Sequence, residues 1–351
     1  MNAAHRDGVV GYYVHHHGAG HAQRFAAVAR RLPGCVGLGS GPRPESVPPD
    51  RWVPLPLDVD PGRPDPLDPT AGGALHWAPL RVDGLRSRSA AFAQWVETAR
   101  PAAIVVDVSV EIALLARLLS VPAVVVAQHG DRTDPPHTLA YRSAAAVVAL
   151  WTAGAAPTPP AAEGRVHHVG PISRFDDRMI DGAREEHPAA RSAGADGRRR
   201  ALLMLGRGGI DLTTGDVEQA IEATSADWSW DILGGFPELG GRDASGDELW
   251  DALGAADVVV GAASNNCVAE VAAARRPLVA IPQARPFDEQ HEHARALQRL
   301  GLATVAETWP APDAWPGLLD AALDGGERWA SYHDGLGAQR LCEVIAQVAA
   351  S

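Results

Sequence analysis

Short apolar runs alternate along this chain with stretches of helical period, and most runs end in a polar or glycine-rich turn. Residues 9–15 are the first run. Gly18-Ala19-Gly20 breaks it, and Phe25, Val28, Ala29 and Leu32 then recur at helical spacing, which predicts a strand, a turn and a helix over 21–32. Residues 40–72, rich in Pro, Gly and Asp, read as a long surface loop around a short strand near 52–57, and 85–98 as a helix. Strands are expected at 102–107, 122–127, 146–151 and 165–169, with helices at 110–119 and 139–145 between them. The polar stretch 175–200 reads as a linker. A second series follows: strand 201–205, the turn Gly206-Arg207-Gly208-Gly209, helix 216–224, strand 230–233, helix 248–255 and strand 257–263. The turn Ser264-Asn265-Asn266 then leads into a helix carrying Glu270, a strand over 277–282, and a last helix opening on Asp288, Glu289, Gln290 and His291. An amphipathic helix over 327–350 ends the series.

Strands alternating with helices make a parallel sheet, and two such series make two Rossmann-like domains. The expected division is 1–174, a linker at 175–200, a second domain at 201–326 and a helical segment at 327–351. Open sheets of this kind bind ligands beyond the carboxyl ends of their strands. Residues 256–303 place two polar helix entrances at two consecutive strand ends. Helix N-termini there favour an anion such as a diphosphate.

The order of Glu270, Pro282, Asp288, Gln290, Ala294 and Leu297 resembles the C-terminal, nucleotide-sugar-binding half of GT-B glycosyltransferases, most of all the bacterial family that adds N-acetylglucosamine to lipid I. Two departures are visible: Ser264 stands where that family often has Gly, and His293 where it has Asn. The resemblance covers about fifty residues. It implies a GT-B fold with a cleft between the domains, a C-terminal helix that crosses back to the first domain, and transfer of a sugar from a UDP-sugar to an acceptor hydroxyl. It also implies that Glu270 accepts hydrogen bonds from ribose hydroxyls and that the acid–Gln pair near 288–290 reads sugar hydroxyls. Gly18, Gly20 and His21 match the family's acceptor-side G-x-G-H turn, where the His contacts the acceptor or acts as base.

The residues support these roles chemically. Donor-side candidates are Gly206, Arg207, Gly208 and Gly209, whose backbone can approach a diphosphate, with Ser264, Asn265, Asn266, Glu270, Asp288, Glu289 and Gln290. Asn265 and Asn266 are equally read as helix caps, and so is Asp288. Acceptor-side candidates are His17, Gly18, Ala19 and Gly20. The proton-accepting candidates are His21 and, at the ends of the next strands, Asp107, Glu111 and His129; imidazole suits the task because it titrates near neutral pH. His15 and His17 share a strand face, but no clear fourth ligand accompanies them, so no metal site is expected.

Composition narrows the picture. In 351 residues the net charge is −12, which argues against a nucleic-acid binder and a strongly anchored membrane protein. The resemblance leaves room for weak peripheral association with the inner face of the membrane. Every one of the 31 basic residues is Arg, which removes Schiff-base chemistry and the Lys-dependent phosphate loop. Cys35, Cys267 and Cys342 have no metal or redox spacing, and the first residues lack the apolar core of a secretion signal, so a cytoplasmic chain is expected. The expected activity is an inverting, metal-independent glycosyltransferase with a UDP-sugar as co-substrate and no other cofactor. Its acceptor would be a cell-envelope or lipid-linked glycan or a small molecule. The alternatives are a GT-B-fold UDP-sugar 2-epimerase and a non-catalytic homologue that binds a nucleotide sugar.

Overall fold

The apolar runs become strands buried on both faces, as parallel sheets covered by helices require. The computed structural model describes residues 8–16, 18–62, 65–180, 197–205 and 212–351. The chain falls into two units. The first holds the chain up to Leu150, Pro157–Val169 and Gly337–Ser351; the second holds Trp151–Ala156 and Gly170–Leu336.

The first unit contains β1 (Val10–Val14), α1 (Gly20–Arg31), β2 (Cys35–Gly39), β3 (Trp52–Pro54), α2 (Asp83–Ala99), β4 (Ala103–Asp107), α3 (Val110–Leu118), β5 (Ala123–Ala127), α4 (Pro135–Ser143), β6 (Ala146–Ala149) and β7 (Val166–His168). Its seven strands lie in the order β3-β2-β1-β4-β5-β6-β7, all parallel. The second unit contains α5 (Asp176–Ile180), β8 (Arg199–Met204), α6 (Thr214–Thr224), β9 (Trp228–Leu233), α7 (Gly246–Ala255), β10 (Val258–Gly261), α8 (Asn265–Ala273), β11 (Leu278–Ala280), α9 (Glu289–Arg299), β12 (Thr304–Val305) and α10 (Trp315–Ala322). Its five strands are ordered β12-β11-β10-β8-β9, again all parallel. The last helix, α11 (Gly337–Ala350), belongs to the first unit and packs on α1. Its buried Leu341, Val344, Ile345 and Val348 form one stripe at helical spacing.

Strand order fixes where each unit can hold a ligand. In the first sheet the chain runs outward from β1 through β2 and β3, then returns to β4 on the other side of β1. The switch point therefore lies between β1 and β4, whose last residues Val14 and Asp107 are in register. In the second sheet it lies between β8 and β10, where Met204 pairs with Gly261. Ligands of open α/β sheets bind beyond such points.

The structure departs from the expected elements in several places. Strand β2 was not expected: two of its five residues are Gly, which the apolar pattern passes over. They are there because a Cβ on Gly37 would come within 2.6 Å of both the Phe25 and Trp52 rings. Nor were β12 and α10 expected. The helix expected at 139–145 begins at Pro135, since proline fits a first helical turn and Asp134 caps it. The expected linker does not start at 175. Phe175 and Asp176 are buried, the Phe175 ring lies tilted against Trp250 with centroids 4.9 Å apart, and Arg178 lies over both rings; residues 181–196 lie outside the described residues. The continuous helix expected over 327–350 is two pieces. A 3₁₀ stretch over Leu323–Ser331 ends where His333 enters a buried pair with Asp176 at 2.9 Å, and α11 starts afresh at Gly337.

Gly37→Ala tests the close approach of α1 and β3 to β2. The methyl has no room, so the substitution should cost about 1–3 kcal/mol, read as a lower midpoint in chemical unfolding with an unchanged denaturant slope.

Candidate functional site

At the switch point of the first unit, β1 leaves the sheet through His15, His16 and a turn at Gly18, whose φ of +78° suits glycine, and α1 begins. Ala19 has no side chain to cap the helix, so the amides of Gly20 and the residues after it are the polar groups of that turn. His17 lies outside the described residues. At the second residue of α1, His21 Nδ1 is 3.0 Å from an oxygen of Asp107, the last residue of β4. The His21 side chain is 18% exposed and that of Asp107 is 0%.

Asp107 is the centre of this arrangement. Arg24, one turn along α1 from His21, approaches both carboxylate oxygens at 2.5–2.6 Å. The Tyr12 hydroxyl donates to Oδ2 at 3.1 Å. Burial pushes the Asp107 pKa up, but the charges and hydrogen bonds of Arg24 and His21 outweigh it and hold the group well below the usual carboxylate range. Asp107 is thus an ionised, enclosed acceptor. Its side chain has no exposure to water, and of the two His21 is the more open group. A carboxylate against Nδ1 selects the tautomer with a proton there, leaving Nε2 as the basic nitrogen.

The other two proton-accepting candidates are placed elsewhere. Glu111 is spent on the backbone: Oε1 accepts from the N–H groups of His76 at 2.8 Å and Trp77 at 3.0 Å, and Oε2 accepts from Ser109 Oγ at 3.1 Å. The His129 ring is buried beyond the end of β5, and its carbonyl accepts from Arg132 Nε at 3.0 Å. Among the proton-accepting candidates the structure joins only His21 and Asp107.

At the switch point of the second unit the turn 206–209 lies outside the described residues, so Gly206, Arg207, Gly208 and Gly209 carry no structural statement. Beyond the end of β10, Ser264 caps α8 by accepting from the Cys267 amide at 3.3 Å. Asn265 and Asn266 are therefore the first helical residues, not the cap. Glu270 points into the unit from the second turn and is buried. Nε and Nη2 of Arg174 both lie 2.6 Å from its Oε1. Burial raises the Glu270 pKa, and the Arg174 charge and hydrogen bond pull it back. Glu270 is not a solvated helix carboxylate. Arg174, just before the expected linker, is a residue the sequence pattern did not single out.

The entrance to α9 differs from its expected form. Asp288 occupies the cap position in a left-handed conformation, φ +57°, and makes no capping bond. It lies 3.0 Å from His291 Nδ1 and 3.3 Å from Arg295 Nη1 instead. Glu289 opens the helix, half-buried. Gln290 is buried, and its Oε1 accepts from the Gln283 amide at 3.0 Å, pinning the loop after β11 and leaving the side-chain NH₂ as its free-facing donor group. His293 is buried too. Its Nδ1 lies 2.9 Å from the Ala263 carbonyl beyond β10, and its Nε2 3.4 Å from the Tyr332 hydroxyl. The residue that departs from the family pattern thus ties α9 to the strand end beside α8.

Comparison with solved structures bears on the two parallel-sheet units together. The chain matches the kitacinnamycin glycotransferase with a TM-score of 0.62 at 17% identity, over 98% of this chain and 99% of that one. It matches a UDP-glucosyltransferase from Polygonum tinctorium with a TM-score of 0.64 at 15% identity, over 98% and 99%. The fold is GT-B. A further match is to MurG of Acinetobacter baumannii, with a TM-score of 0.59 at 15% identity over 97% and 99%. In sequence, the chain is 30% identical over 97 residues to the UDP-N-acetylglucosamine–N-acetylmuramyl-(pentapeptide) pyrophosphoryl-undecaprenol N-acetylglucosamine transferase of Acidiphilium cryptum (strain JF-5). That match spans 28% of this chain and 26% of the relative, about a quarter of its length. No family model matches the chain. The GT-B protein described here therefore resembles the lipid I N-acetylglucosaminyltransferases in fold and over a limited stretch of sequence.

The buried His293 makes a pH prediction. Burial lowers its pKa to about 4, against the opposing pull of the Ala263 carbonyl. In the unfolded chain a His binds its proton near pH 6.5. Below that pH the unfolded state takes up a proton that the folded state refuses, so stability falls between pH 6.5 and 4 and is unaffected by this group above 6.5. His293→Asn, which keeps an amide donor for the Ala263 carbonyl, should remove on the order of 2–3 kcal/mol of that acid loss. Chemical unfolding of both proteins at pH 7.5 and pH 4.5 checks it: the gap between them should shrink in the variant.

Proposed function

We propose that this protein is an inverting glycosyltransferase that moves a sugar from a UDP-sugar to an acceptor hydroxyl in the cytoplasm, with no metal ion in the transfer step. The observation that carries this is the His21–Asp107 pair at the β1/β4 switch point, 3.0 Å apart with the carboxylate enclosed. In this reading Nε2 of His21 takes the acceptor proton as the oxygen attacks the anomeric carbon, and Asp107 steadies the imidazolium that forms. A single displacement inverts the anomeric centre.

The second unit supplies the donor side. The diphosphate leaving group meets the backbone N–H groups at the N-terminus of α8, with Arg rather than the absent Lys to balance its charge. Glu270 is the ribose acceptor. Arg174 occupies Oε1 only, and among the described residues no other hydrogen bond to that carboxylate is recorded. Gln290 presents its NH₂ to a sugar hydroxyl. The acceptor class stays at the level of a hydroxyl on a glycan, lipid-linked or small molecule.

One observation favours a second reading, a homologue that binds nucleotide sugars without turning them over: Arg174 already neutralises the carboxylate assigned to the ribose. Isothermal titration with UDP, with GDP, ADP and dTDP as controls, separates the cases when joined to turnover. The proposal expects selective UDP binding that Glu270→Ala weakens at least about tenfold, a loss of roughly 1.4 kcal/mol. It further expects UDP release with an acceptor that His21→Ala slows by about 10²–10⁴-fold with little change in UDP affinity. Binding without turnover across a panel of UDP-sugars and acceptors would support the second reading, and no binding of any nucleoside diphosphate would sink both.

A further inference from the structure

Three side chains of metal-ligating type converge in the first unit. His76 comes from the long segment between β3 and α2, Asp134 caps α4, and His137 is the third residue of that helix. His76 Nε2 lies 3.3 Å from Asp134 Oδ2, and His137 Nδ1 lies 2.8 Å from the same oxygen. One ligand atom from each of the three falls within 4.8 Å of the other two. An ion held tetrahedrally at about 2.0–2.1 Å sets its ligand atoms roughly 3.3 Å apart. The three groups are therefore close to the spacing that a bound ion requires.

We propose that His76, Asp134 and His137 form a site for a divalent metal ion of the zinc class, bound through His76 Nε2, His137 Nδ1 and Asp134 Oδ2, with water as the fourth ligand. Two imidazoles and a carboxylate are a donor set that zinc accepts. The two oxygens of Asp134 divide their work. Oδ1 accepts the His137 backbone N–H at 2.8 Å as the helix cap and also lies 2.9 Å from His137 Nδ1, while Oδ2 lies near both rings. The Asp-x-x-His spacing puts both side chains on one side of the first turn. Pro135 and Pro136 fix that turn's φ angles.

The loop ligand is positioned from behind, independently of Asp134. Glu111 accepts the backbone N–H groups of His76 and Trp77, and the Trp77 indole donates to the Asp58 carbonyl at 2.9 Å. Such supporting contacts orient metal ligands. The side chains of His76, Asp134 and His137 are 29%, 27% and 13% exposed, which leaves a path for the ion and room for water.

Arg132 opposes the ion. Its Nη1 lies 3.5 Å from His137 Nε2, and its Nε is bonded to the His129 carbonyl. Binding through Nδ1 puts the ring proton on Nε2, so Nη1 must turn away. The site would clip the segment carrying His76 to the start of α4, which closes a long loop.

The test uses the full-length protein, freed of metal by chelation and dialysis, without any sugar or nucleotide; it is therefore independent of the transferase reading. Zn²⁺ is titrated calorimetrically and against thermal unfolding, and Co²⁺ is followed by visible absorption. The site predicts one Zn²⁺ per chain, a rise in Tm of roughly 5–10 °C at a hundredfold excess over Kd, and Co²⁺ bands of a tetrahedral nitrogen–oxygen site. His76→Ala, a loop change, and Asp134→Asn, which keeps the cap, should each weaken Zn²⁺ binding at least about tenfold and leave the metal-free Tm nearly unchanged. Absence of Zn²⁺ binding, equal binding by wild type and both variants, or a Co²⁺–thiolate band marking Cys35, Cys267 or Cys342 would overturn it.

Discussion

A carboxylate with no exposure to water cannot stay charged unless donors surround it. Asp107 is that case, and the first unit's candidate site is built around it. Its three donors come from two elements: Tyr12 from β1, and Arg24 and His21 from successive turns of α1. Each contact also holds an element in place. The Arg24 pair fixes the rotation of α1 over the sheet, and the Tyr12 bond ties β1 to the end of β4. Removing one partner of such a pair costs about 3–5 kcal/mol, because the other charge is left buried alone. The geometry of the candidate site and the packing of the β1–α1 turn are therefore one constraint.

The second unit solves a similar problem with fewer donors. Glu270 is buried at the switch point between β8 and β10, and Arg174 alone among the described residues is seen to offset it. Burial still leaves its pKa raised, whereas that of Asp107 is lowered. The difference follows from donor number: Arg24, His21 and the Tyr12 phenol against one guanidinium on one oxygen. An acceptor short of donors suits a group whose remaining partners arrive with a ligand, and vicinal hydroxyls are such donors.

Periodicity made most of this fold legible. Strands such as β4 and β5 are unbroken apolar runs, and helices such as α1 and α8 follow polar turns, so their ends were placed within about two residues. The misses share a cause. β2 has glycines where neighbouring rings need the space, α4 starts with two prolines that resemble a loop, and β12 has only two residues. At the site, His21 and Glu270 stood out by position in their turns. Their partners did not, because Arg24 and Arg174 are ordinary in local pattern and acquire meaning only when a distant carboxylate arrives. His76 and Asp134 are separated by two strands and two helices of sequence, and no linear spacing announces them.

The absence of Lys adds a constraint that runs through both units. A buried ammonium readily loses its proton, but a guanidinium stays charged at any pH the protein meets. With Arg24 and Arg174 in those positions, the charges that balance Asp107 and Glu270 cannot be switched off by the site itself. Proton movement is then left to imidazoles. Arg24 also shares Asp107 with His21, so in the transfer proposed above the carboxylate's field would be divided between a permanent cation and the imidazolium formed as the proton moves. The imidazolium gains less from Asp107 than it would from a carboxylate held for it alone. In exchange, Asp107 stays ionised before the proton moves, and the histidine tautomer that leaves Nε2 basic is fixed in advance.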